Sequence, residues 1–287
     1  MQLGMNWRSL LLIVCMGSWL IQLPIQALPT ANSAPVVPAA SELELEQLSQ
    51  LARSITVKVF SGETWGSGIL IQRQGQVYTV LTNDHVLTPG YGKPYRIQTS
   101  DGRVYSAVVS RTANFDGNDL GILQFRSANL TYAVASLGHS STVTQGDEVF
   151  AAGFPFGSKE FVLTTGQISL VLNQALEGGY QIGYTNDIQK GMSGGPLLNR
   201  QGKVIGINGR HAYPLWGDGY VFKDGSVPQQ PLQEQIIQLS WAVPVEAFVE
   251  QPGQFVSPTI VPVNPTPQPA RIEPKLPNNP PSQDWLW

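Results

Sequence analysis

The sequence predicts an all-β protein, a barrel or sandwich of short strands, and three observations carry the prediction. Short apolar runs, many of them alternating with polar residues, recur from Ile55 to Val243, and Gly, Asn or Asp punctuate the connectors. The 29 Gly and 22 Pro are too many for a helical chain and too few for a disordered one. Of the 287 residues 42% are hydrophobic and only 13% charged, so there is material for a core. A formal charge of −3 offers no basic field to a nucleic acid. One Cys and three His exclude a disulfide framework and argue against a zinc site.

The elements follow in order. Arg8 is the only charged side chain before Glu42, and an apolar run from Leu10 to Ile21 follows it. As a helix that run spans only ~18 Å, short for a membrane crossing but suited to the core of a signal peptide. Ile25-Gln26-Ala27 fits a cleavage site, so residues 1–27 are expected to be removed and the chain exported, periplasmic or secreted; an uncleaved anchor is the alternative. Residues 28–40 are rich in Pro, Ala and Ser and read as a linker. Ser41 then caps a short helix that carries Leu45, Leu48, Leu51 and Ala52 on one face.

From Ile55 the period changes to two. Strands are predicted over 55–59, 69–71, 77–82, 104–109, 120–125, 149–153, 163–169, 180–185, 196–198, 204–207 and 240–243. Regular strand spacing of this kind argues against alternating helices and strands. Residues 252–287 contain 10 Pro and no apolar periodicity, so the segment from 251 onward is expected to be an extended tail. Its Trp285-Leu286-Trp287 end would suit docking to a protein partner, a solvated spacer being the plainer reading.

Three segments carry chemistry. Gly191-Met192-Ser193-Gly194-Gly195-Pro196 allows a tight turn that exposes a serine hydroxyl, and the N–H groups of Gly191 and Ser193 could converge on an oxyanion. Thr82-Asn83-Asp84-His85-Val86 places His85 where a buried strand meets a turn, a rigid seat for a general base. Asn118-Asp119-Leu120-Gly121 sets Asp119 at the head of an apolar run, where its carboxylate could fix the imidazole tautomer. Asp116 competes for that role from a turn-like loop, whereas Asp84 adjoins His85 and points to the opposite face. His139 and His211 lie in loop-like stretches without a partner pattern. The order His, Asp, Ser excludes the nucleophile elbow of α/β-hydrolases, which needs its histidine last.

In these motifs the chain resembles bacterial trypsin-like serine proteases, close to the protease domain of the HtrA/Deg group. The matching pieces are W-G-S-G-I-L-I (65–71), T-N-D-H-V (82–86), N-D-L-G-I-L (118–123), A-G-F-P-F-G (152–157), G-M-S-G-G-P-L-L-N (191–199) and G-K-V-I-G-I-N (202–208). They run in family order within 53–250. The resemblance implies two antiparallel six-stranded β-barrels, about 53–130 and 140–250, with the active site in the cleft between them. It implies a serine endopeptidase acting on polypeptides through His85, Asp119 and Ser193, with an oxyanion hole of Gly191 and Ser193 N–H groups and no cofactor or metal. A peptide-binding module without turnover is the rival reading. The group's PDZ domain is not expected in the 37 Pro-rich residues after Glu250. Met192 stands where trypsin carries an Asp that pairs with a newly cut N-terminus, so no activating cut is expected. Asp187 occupies the position that forms the floor of trypsin's primary pocket; Lys190 or Arg210 could instead neutralise it internally.

Overall fold

In the computed structural model, residues 42–110, 115–158, 160–213 and 220–249 are described. The expected signal segment 1–27, the Ser41 cap and the tail 251–287 lie outside them.

The first element is helix α1, Leu45–Ile55. The side chain of Gln47 accepts the Glu44 N–H at 3.0 Å, so the helix starts with the reciprocal cap expected of such a pair, three residues after Ser41. It also runs further than its polar pattern suggests, because Ile55 is fully buried along with Leu48 and Ala52. Leu43 N–H donates to Arg200 O at 3.0 Å, which ties the start of the helix to a turn far along the chain.

Among the described residues twelve strands follow. The first six are β1 (Thr56–Ser61), β2 (Thr64–Gln74), β3 (Val77–Thr82), β4 (Tyr95–Gln98), β5 (Val104–Val109) and β6 (Gly121–Arg126). They close antiparallel into a barrel of order β1-β2-β3-β6-β5-β4. The second six are β7 (Glu148–Gly153), β8 (Val162–Val171), β9 (Ile182–Tyr184), β10 (Pro196–Asn199), β11 (Val204–Arg210) and β12 (Ser240–Pro244). They close as β10-β11-β12-β9-β8-β7, so the two barrels share one strand order, each strand of the first answering the strand six places later. The all-β expectation therefore resolves to two barrels. Only β4 has no counterpart among the predicted runs, since Arg96 interrupts its two inward residues, Tyr95 and Ile97. Among the described residues three short α-helices also went unpredicted: α2 (Asp84–Leu87), α3 (Gln230–Ile237) and α4 (Glu246–Val249). None is long enough to show a periodic face in the sequence.

Several strands are buried on both faces. Tyr78 and Val80 of β3 fill the first barrel with Val57, Leu70, Leu123 and Phe125. Leu81 and Ile69 belong to a separate cluster that also holds Phe150, Ile207, Trp241 and Val243 of the second barrel. One side of these strands lines a barrel and the other packs across the seam, so β1 is buried at all six positions. Even Lys58 is only 7% exposed, its ammonium lying 4.9 Å from the ring centre of Trp65 and 5.2 Å from that of Phe154.

Candidate active site

His85 sits in the single turn α2, directly after β3. Asp119 stands two residues before β6, the neighbour of β3 in the sheet, so strand pairing brings the two segments together. The imidazole Nδ1 lies 2.6 Å from Asp119 Oδ2, and His85 N–H donates to Oδ1 at 2.9 Å. Asn83, the residue that precedes the turn, donates from its side chain to Asp119 O at 2.7 Å. Both members of the pair are largely enclosed, with 26% of the His85 and 15% of the Asp119 side chain exposed. Burial pushes the Asp119 carboxyl up, but the charge and hydrogen bonds of His85 and the hydroxyl of Tyr180 outweigh it and hold the group down at about 2.

Ser193 lies in the turn between β9 and β10 and is 2% exposed. Its hydroxyl donates to Gly209 O at 3.1 Å. The backbone before it is shaped by Gly191, at φ +93, where an added Cβ would stand 2.5 Å from Phe154 O. Only glycine fits there without strain. Lys190 O accepts the Phe156 N–H at 2.7 Å; in a planar trans peptide the N–H of Gly191 therefore points away from Phe156. Among the described residues, the N–H groups of Gly191 and Ser193 have no backbone acceptor, although those of Met192, Gly194 and Gly195 do. Ser67 of β2 secures the turn from the other barrel. Its hydroxyl donates to Gly191 O at 2.7 Å and accepts from Phe154 N–H at 2.9 Å, while its own N–H donates to Ser193 O at 2.8 Å. His85, Gly191 and Ser193 line one groove together with Trp65, Gly66 and Phe156.

The other candidates lie elsewhere. Asp187, expected at the floor of a primary pocket, is exposed, whereas Asn186 and Ile188 on either side of it are buried. The chain here alternates inward and outward, and position 187 falls on the outward phase. Asp116 is exposed in a turn at φ +50. Asp84 is exposed and accepts the Tyr91 hydroxyl at 2.6 Å. His139 is 3.9 Å from Glu246, and His211 Nδ1 is 2.7 Å from Ala212 O. Among the described residues no group of three or more His, Cys, Asp or Glu could hold a metal ion. Ser67 and Tyr180 were not found from the sequence. Ser67 reads as one more small residue in W-G-S-G and Tyr180 as the start of a strand; only tertiary contacts show what their hydroxyls reach.

Residues 66–207 match the family model of the trypsin-like peptidase domain. Serine protease HTRA2, mitochondrial, of Drosophila grimshawi is 34% identical over 149 residues, which is 50% of this chain and 33% of that protein. The same protein of Drosophila ananassae matches to the same extent, so the matched part spans about a third of these relatives. Among solved structures, the HtrA-type protease AlgW with tripeptide superposes with a TM-score of 0.56 at 24% identity, over 72% of this chain and 62% of that one. Deg5 gives 0.53 at 23%, over 72% and 94%. At such identities the likeness is one of fold, and it is the fold of two closed six-stranded barrels found here. The chain is thus similar in sequence to the trypsin-like peptidase domain over residues 66–207, and similar in fold to HtrA-type proteases.

Proposed function

We propose that this chain is an exported serine endopeptidase that cuts peptide bonds by acyl transfer through His85, Asp119 and Ser193. The observation that supports it most is the half-buried His85–Asp119 pair, 2.6 Å apart, beside a groove that His85 shares with Ser193 and Gly191. Asp119 accepts the Nδ1 proton, which leaves Nε2 as the basic nitrogen. In the reaction the Ser193 hydroxyl turns from Gly209 O toward Nε2 and gives up its proton as its oxygen attacks the scissile carbonyl. The carbonyl oxygen becomes an oxyanion and takes the N–H groups of Gly191 and Ser193, both without a backbone acceptor among the described residues. The imidazolium returns its proton to the leaving amine, and the amide bond breaks. Water then repeats the cycle on the acyl-enzyme, giving its proton to His85, and releases a carboxylic acid and free Ser193.

A serine-directed fluorophosphonate tests this reading directly, since only an assembled triad makes Ser193 nucleophilic. Wild type should be labelled at Ser193, and His85→Ala should not. An inert wild type that still binds unfolded peptides would select a peptide-holding module instead. Export is tested by N-terminal sequencing of secreted protein, which should begin at or near Leu28. An intact segment 1–27 in the membrane fraction would replace the signal with an anchor.

A further inference from the structure

The carboxylate of Asp119 has a further donor that the reaction above does not use. Tyr180 lies in the second barrel, just before β9, and its hydroxyl donates to Asp119 Oδ2, the same oxygen that faces His85 Nδ1. The contact is built from several sides. Asp119 N–H donates to Gly178 O at 2.8 Å, and Asn118 bridges Gly178, so the backbone on either side of the pair is tied across the seam. The Arg210 guanidinium lies 5.0 Å from the ring centre of Tyr180 and holds the ring from its face. At Gly209 an added Cβ would stand 2.2 Å from the Tyr180 hydroxyl, so the absence of a side chain there is what gives the phenol its place. Tyr180 is 1% exposed, and burial followed by the Asp119 charge pushes its phenol well above the usual range, so it acts as a donor at any working pH.

We infer that Tyr180 is a positioning residue of the triad, which reaches over from the second barrel to hold the Asp119 carboxylate in line with His85. The inference rests on the function proposed above. Two donors on one oxygen limit its rotation, and a carboxylate so held presents Oδ2 to the imidazole without rearrangement during turnover. Two cations flank this region: Arg210 lies over the Tyr180 ring, and the Lys223 ammonium donates to Asn118 at 3.1 Å. Neither displaces the phenol from the carboxylate.

Tyr180→Phe removes the hydroxyl and keeps the ring. With a peptide substrate, kcat should fall about tenfold while KM stays within twofold, because the lost contact acts on the reacting groups and not on peptide binding. In proton NMR of the full chain, the His85 Nδ1 proton should move downfield, since Oδ2 relieved of one donor becomes the stronger acceptor for the other. Gly209→Ala should push the phenol aside and change kcat and the resonance in the same directions. A kcat within twofold of wild type, a change confined to KM, or a fall in kcat with the resonance unmoved would each overturn the inference. A wild type inert to fluorophosphonate would refute the proposed function itself. The resonance would still report whether Tyr180 governs the His–Asp pair.

Discussion

Three groups donate to the side chain of Asp119: the Nδ1 and backbone N–H of His85 and the hydroxyl of Tyr180. An amide at this position could not accept from all of them, and its NH2 would favour the wrong imidazole tautomer. Asp119→Asn should therefore lower kcat by about 10⁴, while Asp116→Asn, at an exposed turn, should leave it within threefold. Steady-state kinetics on the two variants decides which acid is used; a sensitive Asp116 would remove Asp119 from the role. Ser193→Ala and His85→Ala should each cost about 10⁴–10⁶ in kcat, and the double variant little more than either, since these groups act as a unit. The meeting of His85 with Asp119 and the groove that His85 shares with Ser193 were legible in the sequence, because each of the three stands beside a recognisable apolar run or in a glycine turn. Asp187 shows where that legibility stops. Spacing to Ser193 gives the number of residues but not their phase, and the phase turns Asp187 outward between buried Asn186 and Ile188.

The strand runs survived translation into structure because barrel interiors demand apolar residues at alternate positions, and β3, β5 and β11 carry them visibly. β4 did not, being four residues long with a charge in the middle. The turn before Ser193 is a case in which the element's state follows from its ties. Its shape depends on Ser67 Oγ, on the Phe156 N–H and on the positive φ of Gly191, with no carboxylate at Met192 to await a new N-terminus. Uncut protein that starts at Leu28 should thus be labelled by fluorophosphonate at full rate, and dependence on a cut just before Ile55 would show that another acid takes up a new ammonium. Ser67→Ala should slow the same labelling about tenfold and destabilise the fold by about 1–3 kcal/mol, because it leaves Gly191 O and Phe154 N–H buried without their partner. An unchanged labelling rate would mean that the backbone holds the turn without this hydroxyl.

At the scale of the molecule, two barrels of identical strand order meet at one groove: His85, bonded to Asp119, comes from the first, and Ser193 with the glycine turn from the second. The seam must therefore hold for the groove to exist, and Asp119 is one of its ties, bonded to His85 on one side and Tyr180 on the other. Its carboxyl lies at about 2 in the folded protein against an ordinary value of 3.8. The unfolded chain thus binds this proton more readily than the folded one, and acid favours unfolding through this group. Its contribution is present in full above about pH 4 and is lost as the pH falls through about 2. A difference of nearly two pH units corresponds to about 2 kcal/mol. Denaturant unfolding of wild type and Asp119→Asn should show wild type more stable by about that amount at pH 6, with the gap closing between pH 4 and 2. A gap that stays constant across this range would mean that Asp119 supports the seam by shape alone and not by its charge.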